Sequence, residues 1–317
     1  MDQLASIIEK SVVTHRMTSI GEMYVAGTGI HVNTNGSAAP YFVGGFSCKK
    51  TREEAVLVAR FECKERAFAM FDFRNDTSDG YPLYSFSQNI VKGMATPDEV
   101  MLRPGSDAVG LAIRVSRKDA IVHAANEILE RALLGKIFYC ELPIALISKE
   151  TIGDHLCYFY TTADKQQTGF VMAVLVGRDH KFLTLGASRD DSIRHAINKS
   201  RAEAIMLADN ILAGKSTKHI VNKHTRQRMA SQTDAAMILK RLDFLENGCV
   251  KSIPVPTDSC SIEGVISLCG GSDISYCVLA ESESMAVVRA VATDFPTLAD
   301  LRLNNLGSME ASIDFVC

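Results

Sequence analysis

One helical pattern occurs three times in the chain and constrains the fold more than any other feature of the sequence. Each copy starts at a hydroxyl residue, carries an acidic residue in its first turn and continues with a regular apolar stripe. The copies begin at Thr51, Ser116 and Ser188. Aligned without gaps, residues 116–126 and 188–198 match at alternating polar and apolar positions, which helix propensity alone does not explain. The sequence therefore predicts three related helices.

The first two helices also share the motif Glu-x-x-Glu-Arg, at Glu62, Glu65 and Arg66 and at Glu127, Glu130 and Arg131. Residues three apart lie on one side of a helix, so each pair of glutamates projects together from an otherwise apolar helix. Unpaired buried carboxylates are costly, so such pairs keep water, bind a cation or pair with arginine. We expect each arginine to reach a phosphate or an acid on another helix, because adjacent helical residues point about 100° apart.

Four carboxylates on two related helices favour a hard cation such as Mg²⁺, which prefers oxygen ligands and binds nucleotide phosphates alongside. A single motif of this kind is usually a solvated helix face, but its recurrence in one register favours a functional site. A di-iron bundle would need Glu-x-x-His, which neither pair provides. The sequence also has no P-loop and no Gly-x-Gly-x-x-Gly dinucleotide motif. An unrelated carboxylate-bridged metalloenzyme stays open as an alternative.

Short apolar segments between these helices are typical of strands. We predict strands at 41–46, 110–115, 158–162, 169–177, 182–186, 250–255, 264–268, 274–279 and 286–292. Strands that alternate with helices indicate a layered α/β (α+β) fold of repeated strand–helix units. We expect one domain over residues 1–317, with the repeats in 12–213, an exposed connection at 214–232 and a strand-rich part at 233–317. Gly135 and Gly214 are expected to end two of the helices.

Composition excludes several classes of function. The formal net charge of −3 leaves no basic excess for a phosphate backbone, so nucleic acid is not an expected partner. No apolar run approaches the roughly 20 residues of a spanning helix, and the N-terminus does not resemble a signal peptide, so we expect a cytoplasmic protein without membrane contact. The nine cysteines form no Cys-x-x-Cys pair and fit free thiols. The segment from Cys249 to Cys277 leaves room for a metal or redox role.

The repeated Glu-x-x-Glu-Arg helices resemble those of the YcaO family, and further segments match its motifs in the same order. These are Val13-Thr14-His15-Arg16, Gly29-Ile30-His31-Val32, Gly110-Leu111-Ala112 and Arg194-His195-Ala196-Ile197-Asn198-Lys199. The resemblance covers about residues 12 to 210. It implies an ATP-binding fold in which Glu62, Glu65, Glu127 and Glu130 hold Mg²⁺ and the nucleotide phosphates. Arg16 and Arg289 are implied as further nucleotide contacts, and Glu203, one turn on from Lys199 on the same helix face, can substitute for a family glutamate that Lys199 replaces.

The reaction implied by the resemblance is phosphorylation of a backbone amide oxygen in a ribosomally made peptide. Attack by a neighbouring side chain then gives an azoline, and attack by sulfide gives a thioamide. The implied partners are the precursor peptide, a leader-binding protein and a second copy of the chain. Two departures motivate an alternative, a degenerate scaffold that binds a peptide or a partner enzyme: Lys199 stands where the family has a glutamate, and residues 46–50 replace its Gly-Lys-Gly.

Overall fold

A computed structural model describes residues 2–32, 41–70, 80–101, 108–139, 142–163, 168–213, 232–248 and 261–292. By their contacts these residues form two compact units. The first contains the described parts of 1–16, 24–128 and 266–295, and the second those of 17–23, 129–265 and 296–317. The layered α+β class predicted from the sequence is confirmed, with helices and three antiparallel sheets. The expectation of one domain stays a prediction.

The first unit contains two sheets. Their strands and helices are α1 (Asp2–Glu9), β1 (Val13–Met17), β2 (Tyr24–Val32), β3 (Tyr41–Lys49), α2 (Arg52–Ala69), β4 (Tyr81–Ser85), β5 (Val91–Ala95), α3 (Pro97–Val100), β6 (Leu111–Arg114), β11 (Ile274–Ser282) and β12 (Met285–Ala292). One sheet has the order β1-β2-β3, and the other has the order β5-β4-β11-β12-β6. Among the described residues, β3 and β6 are therefore edge strands.

Helix α2 joins these two sheets. Its small residues Ala55, Ala59 and Cys63 are fully buried against β2 and β3. Nearer its C-terminal end, Phe68 packs into the core of the five-stranded sheet, together with Leu111 and other apolar side chains. Small side chains let the helix backbone approach the first sheet closely, so both sheets lie against one helix.

The second unit contains one antiparallel sheet of four consecutive strands, together with helices. Its sheet has the order β10-β9-β8-β7, from β7 (Ile144–Ile152), β8 (His155–Thr162), β9 (Phe170–Val176) and β10 (Leu183–Arg189). Helix α5 (Ile193–Leu212) packs on β9 and β10. Every residue of β9 is buried, as a continuous apolar run predicts. Helix α4 (Arg117–Tyr139) runs from residues of the first unit into residues of the second.

The helix caps confirm two of the predicted starts and correct the third. The Glu54 N–H donates to Thr51 Oγ1 at 3.2 Å, and the Asp119 N–H donates to Ser116 Oγ at 3.1 Å. Ser188, however, lies inside β10, and the cap of α5 is Ser192, whose hydroxyl accepts from the His195 N–H at 3.4 Å. The prediction was one turn early, because the acid that follows Ser188 mimics a capping box.

Close packing explains why a glycine precedes each of these helices. A Cβ at Gly45 would collide with the Ala59 carbonyl oxygen and the Cys63 nitrogen of α2. A Cβ at Gly186 would collide with the Ser200 carbonyl oxygen and the Ala204 nitrogen of α5. Glycine is therefore required because the strand backbone touches the helix backbone, which no side chain permits.

Two further predictions were wrong. Gly135 does not end its helix: α4 continues to Tyr139, and Gly135 is buried within it, because tertiary packing overrides the helix-ending tendency of glycine. The apolar segment at 264–268 belongs to helix α7 (Ile262–Leu268), because a short apolar run fits a buried helix as well as a strand. Helix α6 (Ala235–Gly248) precedes it. Gly214, most of the connection at 214–232 and the predicted strand at 250–255 lie outside the described residues.

The described cysteines are buried thiols, as expected from the sequence: Cys48, Cys63, Cys157, Cys269 and Cys277. Burial raises the pKa of the Cys63 thiol to about 11, which makes it a poor nucleophile and metal ligand. Cys249 and Cys260 lie outside the described residues, so the metal or redox role of that segment stays a prediction. No helix in the described part of the chain is long and apolar enough to cross a membrane.

We predict that Gly45→Ala lowers the free energy of unfolding by about 2–4 kcal/mol, because strand and helix must separate to admit the methyl group. Urea unfolding followed by circular dichroism measures the change. Gly93→Ala is the matched control, since a Cβ at Gly93 meets nothing within 4 Å. Equal stability of the two variants would show that the Gly45 contact does not hold α2 on its sheet.

Candidate functional site

The Glu62 carboxylate caps the edge of the three-stranded sheet. The backbone N–H of Phe46, on edge strand β3, donates to Glu62 Oε2 at 2.5 Å. The other oxygen, Oε1, accepts from the Arg66 guanidinium at 2.5 Å. Burial raises the pKa of Glu62, against the opposing effect of Arg66. An edge strand has N–H groups without a neighbouring strand, and here a helical glutamate supplies the acceptor.

Two more glutamates cap the edge of the five-stranded sheet. The Ile113 N–H of edge strand β6 donates to Glu65 Oε2 at 3.1 Å, and the Gly110 N–H, just before β6, donates to Glu127 Oε2 at 3.0 Å. Glu65 comes from α2 and Glu127 from α4, so the two helices meet at this edge. The structure thus brings Glu62, Glu65 and Glu127 together in the first unit, and we call these three residues the edge-acid cluster.

Electrostatic repulsion marks the centre of the edge-acid cluster. Burial raises the pKa of Glu65 from 4.5 to about 8, and the neighbouring charges of Glu127 and Glu62 add to the effect. The Glu65 side chain is only 16% exposed. A bound cation would relieve this repulsion, because an opposite charge favours the ionised carboxylate. Binding of a cation at the edge-acid cluster is therefore electrostatically favourable.

Arg66 and Arg114, both in the described part of the chain, face the edge-acid cluster, and the sequence had singled out only Arg66. Arg66 also donates to the Gly44 carbonyl oxygen at 2.9 Å. Arg114, the last residue of β6, places its guanidinium 3.8 Å from Glu65 Oε2. Arg114 was missed because nothing in its local sequence ties it to α2; a strand residue reaches a helix distant in sequence only through the fold.

The prediction that the motif arginines avoid their own helix was wrong. Arg66 pairs with Glu62, one turn earlier on α2. In the second unit, Arg131 pairs with its direct neighbour Glu130 at 3.5 Å, and the Glu130 side chain is only 12% exposed. Long flexible arginine side chains bend back along the helix, because a buried carboxylate attracts the closest cation.

Glu203 repeats the edge-capping contact in the second unit. The Ala187 N–H of edge strand β10 donates to Glu203 Oε2 at 2.9 Å, as Phe46 does to Glu62. Glu203 is therefore the counterpart of Glu62, and the register that placed Lys199 there is wrong by one turn. Lys199 pairs instead with Asp190 at 2.5 Å. The third repeat of this chain therefore keeps an acidic residue at the edge-capping position.

A repeated spacing in the sequence could have revealed this register. A glycine, a hydroxyl cap and a glutamate recur with identical separations in three sets: Gly45, Thr51 and Glu62; Gly110, Ser116 and Glu127; and Gly186, Ser192 and Glu203. The glycine sits at or next to the N–H donor, the hydroxyl caps the helix and the glutamate returns to the strand. The third set has Met206 where the first two have their second glutamate.

The remaining predicted contacts lie on strands of the first unit. Arg289, on β12, stands directly opposite Leu111 of β6, next to the Gly110 that holds Glu127. Arg16 lies on β1 and is partly buried. Their contact with a nucleotide stays a prediction, as do the ligand roles of the glutamates.

The donor chemistry of the edge-acid cluster fits Mg²⁺ but not a closed protein cage. Within the described residues, no three His, Cys, Asp or Glu side chains are arranged to hold a metal ion. Mg²⁺ usually binds one or two carboxylates and takes its other oxygens from water and phosphates. Both described contacts of Glu65 use Oε2, so its Oε1 is the oxygen left to face a cation. The cluster therefore suits a cation shared with a phosphate ligand.

Solved structures share this arrangement of strands and helices. YcaO from Methanopyrus kandleri, bound with AMPPCP and Mg²⁺, aligns with a TM-score of 0.61 and 14% identity over 91% of this chain and 87% of that chain. The E. coli microcin synthetase McbBCD complex contains a chain that aligns with a TM-score of 0.66 and 13% identity, over 90% and 88% of the two chains. The chain has the YcaO fold.

A heterocyclase in complex with substrate and cofactor is also similar, with a TM-score of 0.64 and 13% identity. This chain is covered over 96% of its length but spans only 54% of the heterocyclase chain. No protein-family model and no curated protein matches the sequence. The chain thus has the YcaO fold at low sequence identity to these structures. The contacts of the edge-capping glutamates therefore describe its candidate site better than overall sequence identity does.

We predict that the protein without divalent cations loses stability as the pH rises from 5 to 8. The folded state holds the proton of Glu65 up to a pKa of about 8, whereas the unfolded state releases it near 4.5. Below 4.5 both states are protonated and the contribution is complete; above 8 it is lost. The change should be on the order of 2–4 kcal/mol, since one pKa unit corresponds to about 1.4 kcal/mol.

Urea unfolding at several pH values with EDTA measures this dependence. Glu65→Gln should remove most of it, because the amide cannot ionise. Glu263→Gln, at an exposed position of α7, is the control and should follow the wild type. A Glu65→Gln slope equal to that of the wild type would show that Glu65 ionises at its ordinary pKa.

Proposed function

We propose that this chain is an ATP- and Mg²⁺-dependent enzyme that activates backbone amides of a ribosomally made peptide by phosphorylation. The product is an azoline when an adjacent Cys, Ser or Thr side chain attacks, and a thioamide when sulfide attacks. The edge-acid cluster carries the proposal: three helical carboxylates are held by strand-edge N–H groups, the pKa values of Glu62 and Glu65 are raised, and carboxylate oxygens suit a hard cation.

The proposed roles of the residues follow from these contacts. Glu62, Glu65 and Glu127 bind cations that are shared with the phosphates, with one or two carboxylates to each cation, and their backbone hydrogen bonds keep the carboxylates oriented without the ligand. Glu130 and Glu203 supply further acidic contacts, while Arg16 and Arg289 neutralise phosphate charge. When bound, Mg²⁺ stabilises the charge that develops during phosphoryl transfer. The amide oxygen, a poor leaving group, becomes a good one once it is phosphorylated.

The solved structures with this fold support the proposal. One is bound with AMPPCP and Mg²⁺, and another is the microcin synthetase complex with pro-MccB17 bound. By analogy, we propose a precursor peptide as substrate and a separate leader-binding protein as partner. A homodimer and a cytoplasmic location complete the proposal. Neither DNA nor RNA is a proposed ligand, in keeping with the net charge of −3.

We predict that Glu62→Gln and Glu127→Gln each lower ATP turnover at least about a hundredfold, because a ligand to the charged transition state is lost. Phosphate release in the presence of Mg²⁺ and the precursor peptide measures turnover. Mass spectrometry of the peptide separates the products: an azoline has lost one water, and a thioamide has exchanged oxygen for sulfur. Glutamine keeps the size and the backbone hydrogen bond, so the fold should persist.

Glu281→Gln is a matched control, since Glu281 lies on β11 and contacts Arg117 rather than the edge-acid cluster. Its turnover should equal that of the wild type. Turnover that is unchanged in both Glu62→Gln and Glu127→Gln would contradict the assigned site.

Substitutions of Glu203 and Lys199 test which of the two residues is the counterpart of Glu62. Glu203→Gln should weaken Mg–ATP binding about tenfold, because Glu203 occupies the position of Glu62 in its own repeat. Lys199→Ala should leave binding unchanged, because Lys199 is engaged by Asp190 on the surface. Isothermal titration calorimetry with Mg–ATP measures both variants. A loss of Mg–ATP affinity in Lys199→Ala alone would show that Lys199, and not Glu203, is the counterpart of Glu62.

A degenerate scaffold is the second candidate function. It is motivated by residues 46–50, which replace the Gly-Lys-Gly of the family, and by the two guanidiniums that already neutralise the edge-acid cluster. Calorimetry separates the two candidates, since a scaffold that binds peptide or a partner enzyme shows no affinity for Mg–ATP. The position of Glu203 removes the other observation that favoured the scaffold.

A further inference from the structure

Arg114 faces the edge-acid cluster from a strand and does not belong to a helix motif. It ends β6, directly after Ile113, whose N–H holds Glu65. Its guanidinium is anchored by a hydrogen bond from Nη1 to the Ile113 carbonyl oxygen at 2.5 Å and lies 3.8 Å from Glu65 Oε2. The same backbone unit, Ile113, therefore positions both the carboxylate and the arginine that faces it.

The position of Arg114 differs from that of Arg66. Arg66 is committed on two sides, to Glu62 at 2.5 Å and to the Gly44 carbonyl oxygen at 2.9 Å. The contact of Arg114 with Glu65 is longer, and its side chain is 35% exposed against 16% for Glu65. A long, half-exposed ion pair is weak and easily exchanged. Arg114 can therefore leave Glu65 without unfolding its surroundings.

We propose that Arg114 is the resident counter-ion of the edge-acid cluster: it competes with a divalent cation for Glu65 and contacts a phosphate once the cation has taken its place. This inference rests on the proposed function of the site. A guanidinium is never deprotonated in proteins and its planar N–H groups match phosphate oxygens, so the displaced side chain has a second ligand within the same site. Arg114 is a positioning residue for Glu65 and a binding residue for phosphate.

If Arg114 competes with the cation, one substitution of Arg114 should change the affinities for Mn²⁺ and for Mg–ATP in opposite directions. Arg114→Gln removes the competing charge, so Mn²⁺ without nucleotide should bind about two- to fivefold more tightly. The same variant lacks the phosphate contact, so Mg–ATP should bind about tenfold more weakly. A residue with only a structural role would weaken both. Electron paramagnetic resonance of free Mn²⁺ measures the first affinity, and calorimetry measures the second.

Three variants complete the design. Glu65→Gln identifies which Mn²⁺ binds at the cluster, because that signal should be lost. Arg117→Gln is the matched control: it removes the same charge nearby, but Arg117 contacts Glu281 at 3.8 Å and lies over the Tyr84 ring, so neither affinity should change. Arg114→Lys keeps the charge, so its Mn²⁺ affinity should stay near that of the wild type; it also serves if the glutamine variant does not fold.

The outcomes are distinct. Mn²⁺ affinity that is equal in Arg114→Gln and the wild type, or equal gains in Arg114→Gln and Arg117→Gln, would overturn the competition. Unchanged Mg–ATP affinity in Arg114→Gln would overturn the phosphate contact. In both cases the proposed function survives if the wild type binds Mg–ATP. A wild type that binds neither Mn²⁺ nor Mg–ATP would overturn the proposed function together with this inference.

Discussion

The hydrogen bond from a strand-edge N–H to a helical glutamate is the interaction on which this structure depends. It occurs at Phe46, Gly110, Ile113 and Ala187, always on or beside an edge strand of the described sheets. Each bond ties a helix to a sheet and supplies an acceptor to an exposed edge. It also fixes the orientation of the carboxylate, whose second oxygen accepts from Arg66 at Glu62, so packing and chemistry share the same residues.

This arrangement has an energetic cost. Three carboxylates lie close together in the first unit, and burial together with mutual repulsion raises the pKa of Glu65 to about 8. The protein offsets part of the cost internally, through Arg66 and Arg114. A site that is strained without a cation and partly neutralised by arginine can bind and release a charged ligand reversibly. Stability and ligand affinity are therefore linked through the same carboxylates.

Different parts of the repeats could be predicted from the sequence to different degrees. The caps at Thr51 and Ser116, strands β9 and β10 and the paired glutamates followed from local patterns. The start of α5 did not, because Ser188 and Ser192 both precede an apolar helix and an acid follows the first of them. The packing of Gly186 against α5 gives the repeated spacing of Gly186, Ser192 and Glu203 its physical reason, and that contact joins backbone atoms distant in sequence. Arg114 was hidden for the same reason.

By itself the sequence determined the layered α+β class, the acidic motifs, the resemblance to a family and the lack of a net basic charge, because these depend on residue types and local periodicity. The tertiary structure decided which oxygen of each glutamate is engaged, which arginine pairs with which acid, and that the Glu203 carboxylate reaches the edge of β10. These choices depend on distances between sheet edges and helices. Such distances are set by backbone packing across the fold, and a local sequence pattern contains no information about that packing.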